Sequence, residues 1–227
     1  LDSTNVVPKL LSIITPIGLD HQQFLGNTLT QIATEKAGII APQGNVLLAK
    51  QKNEAQKVLQ RVINEKAATP HPLLPSSDKK PNTFRLQNIE LVRSALSALG
   101  PLGFPSSSSH FKEALRTWQW PGRFQLLAGT PPVLLDGAHN PHALEALFDS
   151  IEATSQVSGA PLHVVFSSLR SKSTIKMVDV ITNHCASLHL CPTSVDRSLS
   201  LHELHELNLN KATVAHTASD ALARASE

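Results

Sequence analysis

A chain of 227 residues is long enough for one large or two small domains, and its 41% of hydrophobic residues can supply an ordinary core. A net charge of +2, an aromatic content of 4% and the lack of tyrosine argue against a nucleic-acid-binding protein. The sequence contains no apolar run of about 18 residues, so we expect no membrane span. Two cysteines do not make a disulfide framework and favour a reducing, cytoplasmic setting.

The first half of the chain alternates strand-like apolar runs with helical patterns. The predicted elements are a strand over 9–17 that is buried on both faces, a helix over 28–37 with Asn27 as its N-cap, a strand over 45–49, and helices over 53–67 and 88–99. Residues 71–81 predict a loop, and the Gly, Pro and Ser residues of 100–109 predict a linker. We therefore divide the chain into residues 1–117 and 118–227.

The second half repeats a strand-then-helix order. Strands are predicted over 124–128, 133–136, 162–167 and 188–191, with a helix after each of the last three. This alternation favours βαβ units, a mainly parallel sheet and the α/β fold class.

Residues 133–141 carry the clearest candidate site. An apolar strand ends at Asp136, and a helix follows with Asn140 as a suitable N-cap and Pro141 at its first position. In open α/β sheets, ligands collect at the carboxyl ends of strands, and helix N-termini favour anions. Asp136 could accept hydrogen bonds from ribose hydroxyls, and His139 could face a phosphate or carboxylate. The alternative is an ordinary strand–helix corner with a solvated Asp and His.

Several motifs in consecutive order carry a resemblance to a known family. They are Leu1–Val7 (LDSTNVV), Ile14–His21 (ITPIGLDH), Leu25–Thr28 (LGNT), Ile32–Ile39 (IATEKAGI), Trp120–Phe124 (WPGRF) and Asp136–Pro141 (DGAHNP). Together they resemble the folylpolyglutamate synthase/dihydrofolate synthase family, the folate branch of the Mur ligases. The resemblance implies the later part of a P-loop-type ATPase domain over 1–117 and a Rossmann-like glutamate ligase domain over 118–227. It also implies an enzyme that joins glutamate to a pteroate or folate acid through an acyl phosphate made with ATP.

The resemblance assigns residues to the nucleotide and the substrates. Arg123 would reach the nucleotide phosphates, which suits the fixed fork of a guanidinium, and Asp136 would bind the ribose. His139 would face the γ-phosphate or the incoming glutamate. Asn88 would contact the nucleotide from the start of a helix; the alternative is that Asn88 is an ordinary N-cap. Asp2 would lie beside the pterin site.

Two further residues are assigned to the metal and to catalysis. His21 matches a metal-binding histidine; imidazole alone suggests zinc before Mg²⁺, but the resemblance implies a second Mg²⁺ near the γ-phosphate. Lys36 matches a lysine that is commonly carbamylated in the family. Carbamylation requires a neutral amine, and hence a lysine pKa that is lowered by burial or neighbouring cations. The alternatives are a strand-capping histidine and a surface lysine late in a helix.

The sequence departs from the family pattern in two ways. The Gly-rich phosphate loop should lie upstream of residue 1, so we expect an N-terminally truncated chain. Where the family carries an Asp-Lys-Asp signature, this chain has Ser167–Ser173 (SSLRSKS), in which Lys172 could stand in for the motif's lysine. Two other functions therefore stay open: a truncated, non-catalytic binding module, and a Mur ligase that acts on a cell-wall precursor.

A rival metal site and the partners complete the predictions. His184, Cys185, His189 and Cys191 are four potential zinc ligands, but their spacing matches no common pattern and 188–191 is typical of a buried strand. We expect small-molecule partners (ATP, L-glutamate and a dihydropteroate or folate), two Mg²⁺ ions, and a monomer when intact.

Overall fold

The polypeptide divides into two units, Leu1–Trp118 and Gln119–Glu227. The computed structural model describes residues 3–20, 22–75, 83–118, 120–154 and 159–226. Within these residues, no helix is long and apolar enough to cross a membrane.

The first unit contains a parallel sheet with the strand order β1-β2-β3. Its strands are β1 (Ser12–Ile14), β2 (Asn45–Leu48) and β3 (Thr69–His71), and its helices are α1 (Gln22–Leu25), α2 (Leu29–Lys36), α3 (Asn53–Glu65), α4 (Phe84–Leu99) and α5 (Ser108–Thr117). Val46 faces a core that includes residues of α2 and α3. Leu47, its neighbour on β2, points the opposite way and packs with Leu91 and Ala95 of α4. The sheet is therefore covered by helices on both faces.

Three predictions in this unit are wrong in detail. The strand predicted over 9–17 is confined to β1 and is not buried on both faces, because Ile13 is 40% exposed. The N-cap of α2 is Thr28 rather than Asn27: the Thr28 hydroxyl accepts from Gln31 N, and the Gln31 side chain accepts from Thr28 N, which makes a capping box. The predicted linker over 100–109 overlaps the start of α5, whose N-cap is Ser107.

The second unit contains a parallel sheet and a separate antiparallel pair. The pair is formed by β4 (Gln125–Leu127) and β5 (Val133–Leu135), and the sheet by β6 (His163–Phe166), β7 (Ser187–Leu190) and β8 (Thr213–Val214). The helices are α6 (Pro141–Glu152), α7 (Thr174–Thr182), α8 (Leu201–Glu206) and α9 (Ala218–Ala225). Leu188 and Leu190 of β7 pack in the larger core with Met177 and Ile181 of α7.

The opposite face of the β6-β7-β8 sheet is divided into an apolar and a polar half. Val165, Cys191 and Ala215 pack with Ala221 of α9. The other residues of this face form a hydrogen-bonded chain across the three strands, through His163, Ser187, His189 and Thr213.

The α/β class and the parallel sheets are confirmed, but one part of the predicted topology is wrong. β5 pairs only with β4, antiparallel, in the described part of the chain, and is not a strand of the parallel sheet. The antiparallel register opposes Gln125 to Leu135. This register places the segment before β4 next to the turn after β5.

Candidate active site

The residues around Arg123 and Asp136 come together because β4 and β5 are antiparallel. Arg123 lies two residues before the first pair of the ladder, and Asp136 lies one residue after it. Two motifs that are about a dozen residues apart in the sequence therefore meet at one end of the two-stranded ladder.

Asp136 connects the two segments through both of its carboxylate oxygens. Its Oδ2 accepts a hydrogen bond from Phe124 N at 2.8 Å, and its Oδ1 accepts one from Ala138 N, also at 2.8 Å. A carboxylate has further acceptor positions, so the predicted contact with a ribose hydroxyl is chemically compatible with these bonds. The contacts present in the structure, however, hold the protein's own backbone.

The backbone on both sides of Arg123 adopts left-handed conformations. Gly122 has a φ of 69° and Phe124 a φ of 45°. This region is strained for a bulky residue such as phenylalanine, and the Asp136 carboxylate holds the Phe124 N–H in place. Gly122 N donates to Gln125 Oε1 at 2.8 Å and Arg123 N donates to Trp120 O at 3.1 Å.

The guanidinium of Arg123 lies against Gly137. A Cβ atom at position 137 would be 2.8 Å from Arg123 Nη1 and 3.3 Å from Cζ. The arginine side chain is exposed to solvent. We call Gly122, Asp136 and Gly137 the arginine seat.

The turn continues into α6 as predicted. The Asn140 side chain caps the helix by accepting from Ala143 N at 2.8 Å, and Pro141 is the first helical residue. His139 is exposed, and its Nδ1 is 2.9 Å from Gly137 O. Because a carbonyl oxygen can only accept, Nδ1 carries the proton, and in the neutral ring Nε2 is then the acceptor nitrogen.

The other predicted site residues belong to the first unit. Lys36 is the last residue of α2 and is exposed, so the described residues do not supply the burial that we expected for a carbamylated lysine. Asn88 is exposed on α4, which begins at Phe84 with Thr83 as its N-cap, so the prediction of a helix start at Asn88 is wrong. Asp2 and His21 lie outside the described residues.

The segment 167–173, which stands where the family's charged signature is expected, is hydrogen-bonded to residues that follow β7. Arg170 donates from Nε and Nη2 to the two carboxylate oxygens of Glu203 at 2.7 and 2.8 Å, and from Nη1 to Asp196 O at 2.6 Å. Near the two ends of this segment, the buried hydroxyls of Ser168 and Thr174 are 2.8 Å apart. Lys172 lies in this hydrogen-bonded segment and is half-buried.

The four potential zinc ligands of the second unit have other surroundings. The ring of His184 stacks on Phe148 with centroids 4.5 Å apart, and both ring nitrogens of His189 bond to hydroxyl groups. Burial raises the pKa of the Cys185 and Cys191 thiols. Among the described residues, no group of three His, Cys, Asp or Glu side chains could hold a metal ion.

Comparison with known proteins gives a family model that matches most of this unit. Residues 122–227 match the model of the Mur ligase, glutamate ligase domain family. That range begins at Gly122 and therefore includes the whole arginine seat.

The chain is also similar to individual proteins over most of its length. The chain is 31% identical to the dihydrofolate synthase/folylpolyglutamate synthase of Bacillus subtilis, over 90% of this chain and 54% of that protein. It is 25% identical to a bifunctional folylpolyglutamate synthase/dihydrofolate synthase crystallised with Mn, AMPPNP and L-glutamate, with a TM-score of 0.78 over 99% of this chain and 57% of the other. Escherichia coli FolC in complex with DHPP and ADP shares the fold, with 22% identity and a TM-score of 0.79 over 99% of this chain and 57% of that one.

The predicted resemblance is thus confirmed: the chain is similar to folylpolyglutamate synthase/dihydrofolate synthases, and residues 122–227 match the model of the Mur ligase, glutamate ligase domain. The chain spans about half the length of the curated relatives that it matches.

Sequence reasoning missed two features of this unit. Gly137 was part of a recognised motif, but only the position of the Arg123 guanidinium shows that its lack of a side chain matters. The pairing of Arg170 with Glu203 joins residues 33 positions apart. The sequence contains a local indication of the structural role of Glu203: Ser200 lies three residues before it, which is the pattern of a capping box.

Proposed function

We propose that the intact protein is an ATP-dependent amide ligase that adds L-glutamate to dihydropteroate, to folates or to both. The named activity of the Bacillus subtilis relative and the family of residues 122–227 support this proposal. The observation that carries it is the position of the Arg123 guanidinium against Gly137, in the turn that leads into α6, because a guanidinium is suited to phosphate and a helix N-terminus favours anions.

In the proposed reaction, the folate-side carboxylate attacks the γ-phosphorus of ATP, and ADP leaves. The amine of L-glutamate then attacks the carbonyl carbon of the acyl phosphate, inorganic phosphate leaves, and the amine loses a proton. Negative charge develops on phosphoryl oxygens in the first step, and on the former carbonyl oxygen and the leaving phosphate in the second. Fixed cationic groups aimed at such charge usually supply the largest share of catalysis.

The second unit supplies three residues to this proposal. Arg123 binds the nucleotide phosphates, for which its exposed guanidinium, lying against Gly137, is suited. Asp136 binds the ribose with the acceptor positions that its two backbone contacts leave. His139 faces the γ-phosphate or the glutamate; with Nδ1–H directed to Gly137 O, its neutral ring can take a proton from the amine at Nε2.

The first unit is proposed to be the later part of a Mur-type ATPase domain, over residues 1–117. Asn88 is proposed to contact the nucleotide, Asp2 the pterin, and His21 one of two Mg²⁺ ions; Lys36 is proposed as a catalytic residue, with its carbamylation. The described residues contain no three-ligand group, which is compatible with Mg²⁺ because this ion often takes few protein ligands and completes its shell with phosphate oxygens and water. A divalent ion of this kind would neutralise phosphate charge.

The proposed partners are ATP, L-glutamate and a dihydropteroate or folate, and we propose that the protein acts as a cytoplasmic monomer. Small-molecule ligands are bound in the related crystal structures. Light scattering of the purified protein at working concentration tests the monomer.

The test is a ligase assay on this chain and on the chain extended upstream in its coding sequence. Each is incubated with ATP, L-glutamate and either dihydropteroate or tetrahydrofolate, and mass spectrometry measures ADP and the glutamylated product. We expect product from the extended chain, and a loss of about tenfold to hundredfold in kcat/KM in its Arg123→Ala variant, because a bond to a charged group is removed. Arg116→Ala, an exposed arginine of α5 paired with Glu113, is the matched control.

Other outcomes would contradict the proposal. If the folded extended chain binds ADP and the folate but forms no product, the protein is a binding module. Amino-acid addition to a cell-wall precursor, with no reaction on either folate, would move it to another branch of the Mur ligases.

A further inference from the structure

We propose that Gly137 is a positioning residue for Arg123: the space left by its missing side chain fixes where the guanidinium lies. This inference rests on the proposed function, since it concerns the side chain to which we assign the nucleotide phosphates. Under this proposal, Gly137 affects ligand binding only through the position of Arg123 and does not itself contact the ligand.

The need for glycine at this position is one of space and not of backbone conformation. Gly122, Gly26, Gly103 and Gly159 have positive φ angles, but Gly137 does not, so an alanine could adopt the same backbone. A Cβ at 137 would be 2.8 Å from Arg123 Nη1, 3.3 Å from Cζ and 3.5 Å from Gly122 O. Ordinary contacts are about 3.5 Å or longer, so the guanidinium would have to move by about 0.7 Å or more.

The obstructing atoms belong to the end of a flexible side chain, so alanine should displace the arginine and leave the fold intact. The neighbouring main chain is fixed independently. Asp136 accepts the N–H groups of Phe124 and Ala138, which directly follow Arg123 and Gly137 in the sequence. We therefore expect the main chain of both segments to stay in position and only the guanidinium of Arg123 to move.

A displaced guanidinium changes binding because arginine recognises phosphate through two parallel hydrogen bonds. This geometry is lost when the planar group tilts or shifts, and neither the charge nor the number of donors compensates. An added methyl group at 137 should therefore weaken phosphate binding through Arg123 alone.

The experiment is a double-mutant cycle on the extended chain. Calorimetry measures the dissociation constant of ADP for the wild type, Gly137→Ala, Arg123→Ala and the double variant, and melting temperatures are recorded in parallel. We expect Arg123→Ala to weaken ADP binding about tenfold to hundredfold. Gly137→Ala should weaken it at least about threefold with an unchanged melting temperature, and should have no effect when Arg123 is already alanine.

The control is Gly100→Ala, because a Cβ at Gly100 meets no atom within 4 Å. It should leave ADP affinity unchanged and should not lower the melting temperature, because the φ and ψ angles of Gly100 are helical. A wild-type affinity in Gly137→Ala while Arg123→Ala binds weakly would overturn the inference. So would an equal loss from Gly137→Ala in the Arg123→Ala background, since the methyl group would then act by another route.

A second measurement separates this inference from the proposed function. Nitrogen-15 NMR of the arginine side chains reports rotation of the Arg123 guanidinium without any ligand. We expect a changed resonance and faster rotation in Gly137→Ala, and an unchanged signal would overturn the inference. If Arg123→Ala leaves ADP affinity unchanged, the proposed nucleotide role of Arg123 fails, and the NMR result still decides whether Gly137 holds it.

Discussion

Glu203 is the residue at which two parts of the second unit are joined. Its Oε2 accepts from Ser200 N at 2.7 Å, which completes the capping box of α8, while both carboxylate oxygens bind the Arg170 guanidinium. The hydrogen bonds from Arg170, followed by those from Ser200, lower the pKa of Glu203 to about 2. A carboxyl pKa that is lower in the folded state contributes stability above its unfolded value near 4.5, and this contribution is lost as the pH falls towards 2.

The Glu203→Gln variant should therefore lose part of the acid sensitivity of the protein. We expect its melting temperature to fall less steeply than that of the wild type between about pH 4.5 and pH 2, although it is lower at neutral pH because the charged pair is gone. Calorimetry across this range is the measurement. Glu145→Gln, at an exposed position of α6, serves as the control, and equal slopes for Glu203→Gln and the wild type would contradict the prediction.

At the scale of elements, the polar chain across β6, β7 and β8 has a defined direction. The Thr213 hydroxyl donates its one proton to Leu188 O at 3.4 Å. Thr213 Oγ1 can therefore only accept from His189 Nδ1, which must carry the proton of that hydrogen bond. His189 Nε2 then accepts from Ser187, whose oxygen accepts in turn from His163 Nδ1. The network thus assigns a neutral ring to His189, because its Nδ1 donates while its Nε2 accepts.

Protonation of His189 conflicts with this arrangement. Burial, followed by the positive charge of Arg224 and the nearby His163, lowers the pKa of His189 below its ordinary 6.5. The unfolded chain therefore binds the proton at a higher pH than the folded chain does. Stability from this residue is present above pH 6.5 and is lost as the pH falls below that value.

The His189→Gln variant should show a flatter dependence of stability on pH in this range. We expect the free energy of unfolding of the wild type to decrease from about pH 6.5 downwards, and that of His189→Gln to decrease less, because the amide does not titrate. Urea unfolding at several pH values measures this difference. His202→Gln, which replaces an 80% exposed side chain, should behave like the wild type; a slope of His189→Gln equal to that of the wild type would refute the prediction.

Sequence patterns predicted those elements of the fold whose signals are local. The cap by Asn140 and the start of α6 at Pro141 were predicted because both depend on neighbouring residues. The antiparallel pairing of β5 was not, because a strand followed by a helix looks the same in either direction. The short β8, with two residues, carries too little periodicity to be recognised.

The sequence indicated which residues form the candidate site, but not the contacts among them. Arg123, Asp136 and His139 were selected from the sequence, and the structure brings them together. That both oxygens of Asp136 hold backbone N–H groups, and that Gly137 makes room for a guanidinium, depend on contacts between segments. No spacing within either motif encodes those contacts.

At the scale of the whole molecule, the described hydrophobic cores of the two units share no residue. Leu59 belongs to the core of the first unit and Leu188 to that of the second. Both side chains are almost fully buried, so replacement by alanine should cost about 2–5 kcal/mol at either position.

We expect each replacement to act on its own unit. Leu59→Ala should accelerate amide hydrogen exchange mainly in α2 and α3, and Leu188→Ala mainly in β6 and β7, because the lost contacts are confined to one core. Hydrogen exchange followed by mass spectrometry resolves these segments. The two variants control for each other, and equal acceleration in both units by either one would show that they unfold as a single cooperative body.

The β4–β5 ladder also offers a point of attachment for a reporter group. Its connecting residues 128–132 are all exposed and follow the pair Leu127–Val133, the end of the ladder opposite to the arginine seat. The native thiols are poorly accessible, since Cys185 is half-buried and Cys191 is buried. The Ala128→Cys variant would therefore provide one readily labelled thiol for a fluorophore or a sensor chip, with the arginine seat at the other end of the hairpin left unobstructed.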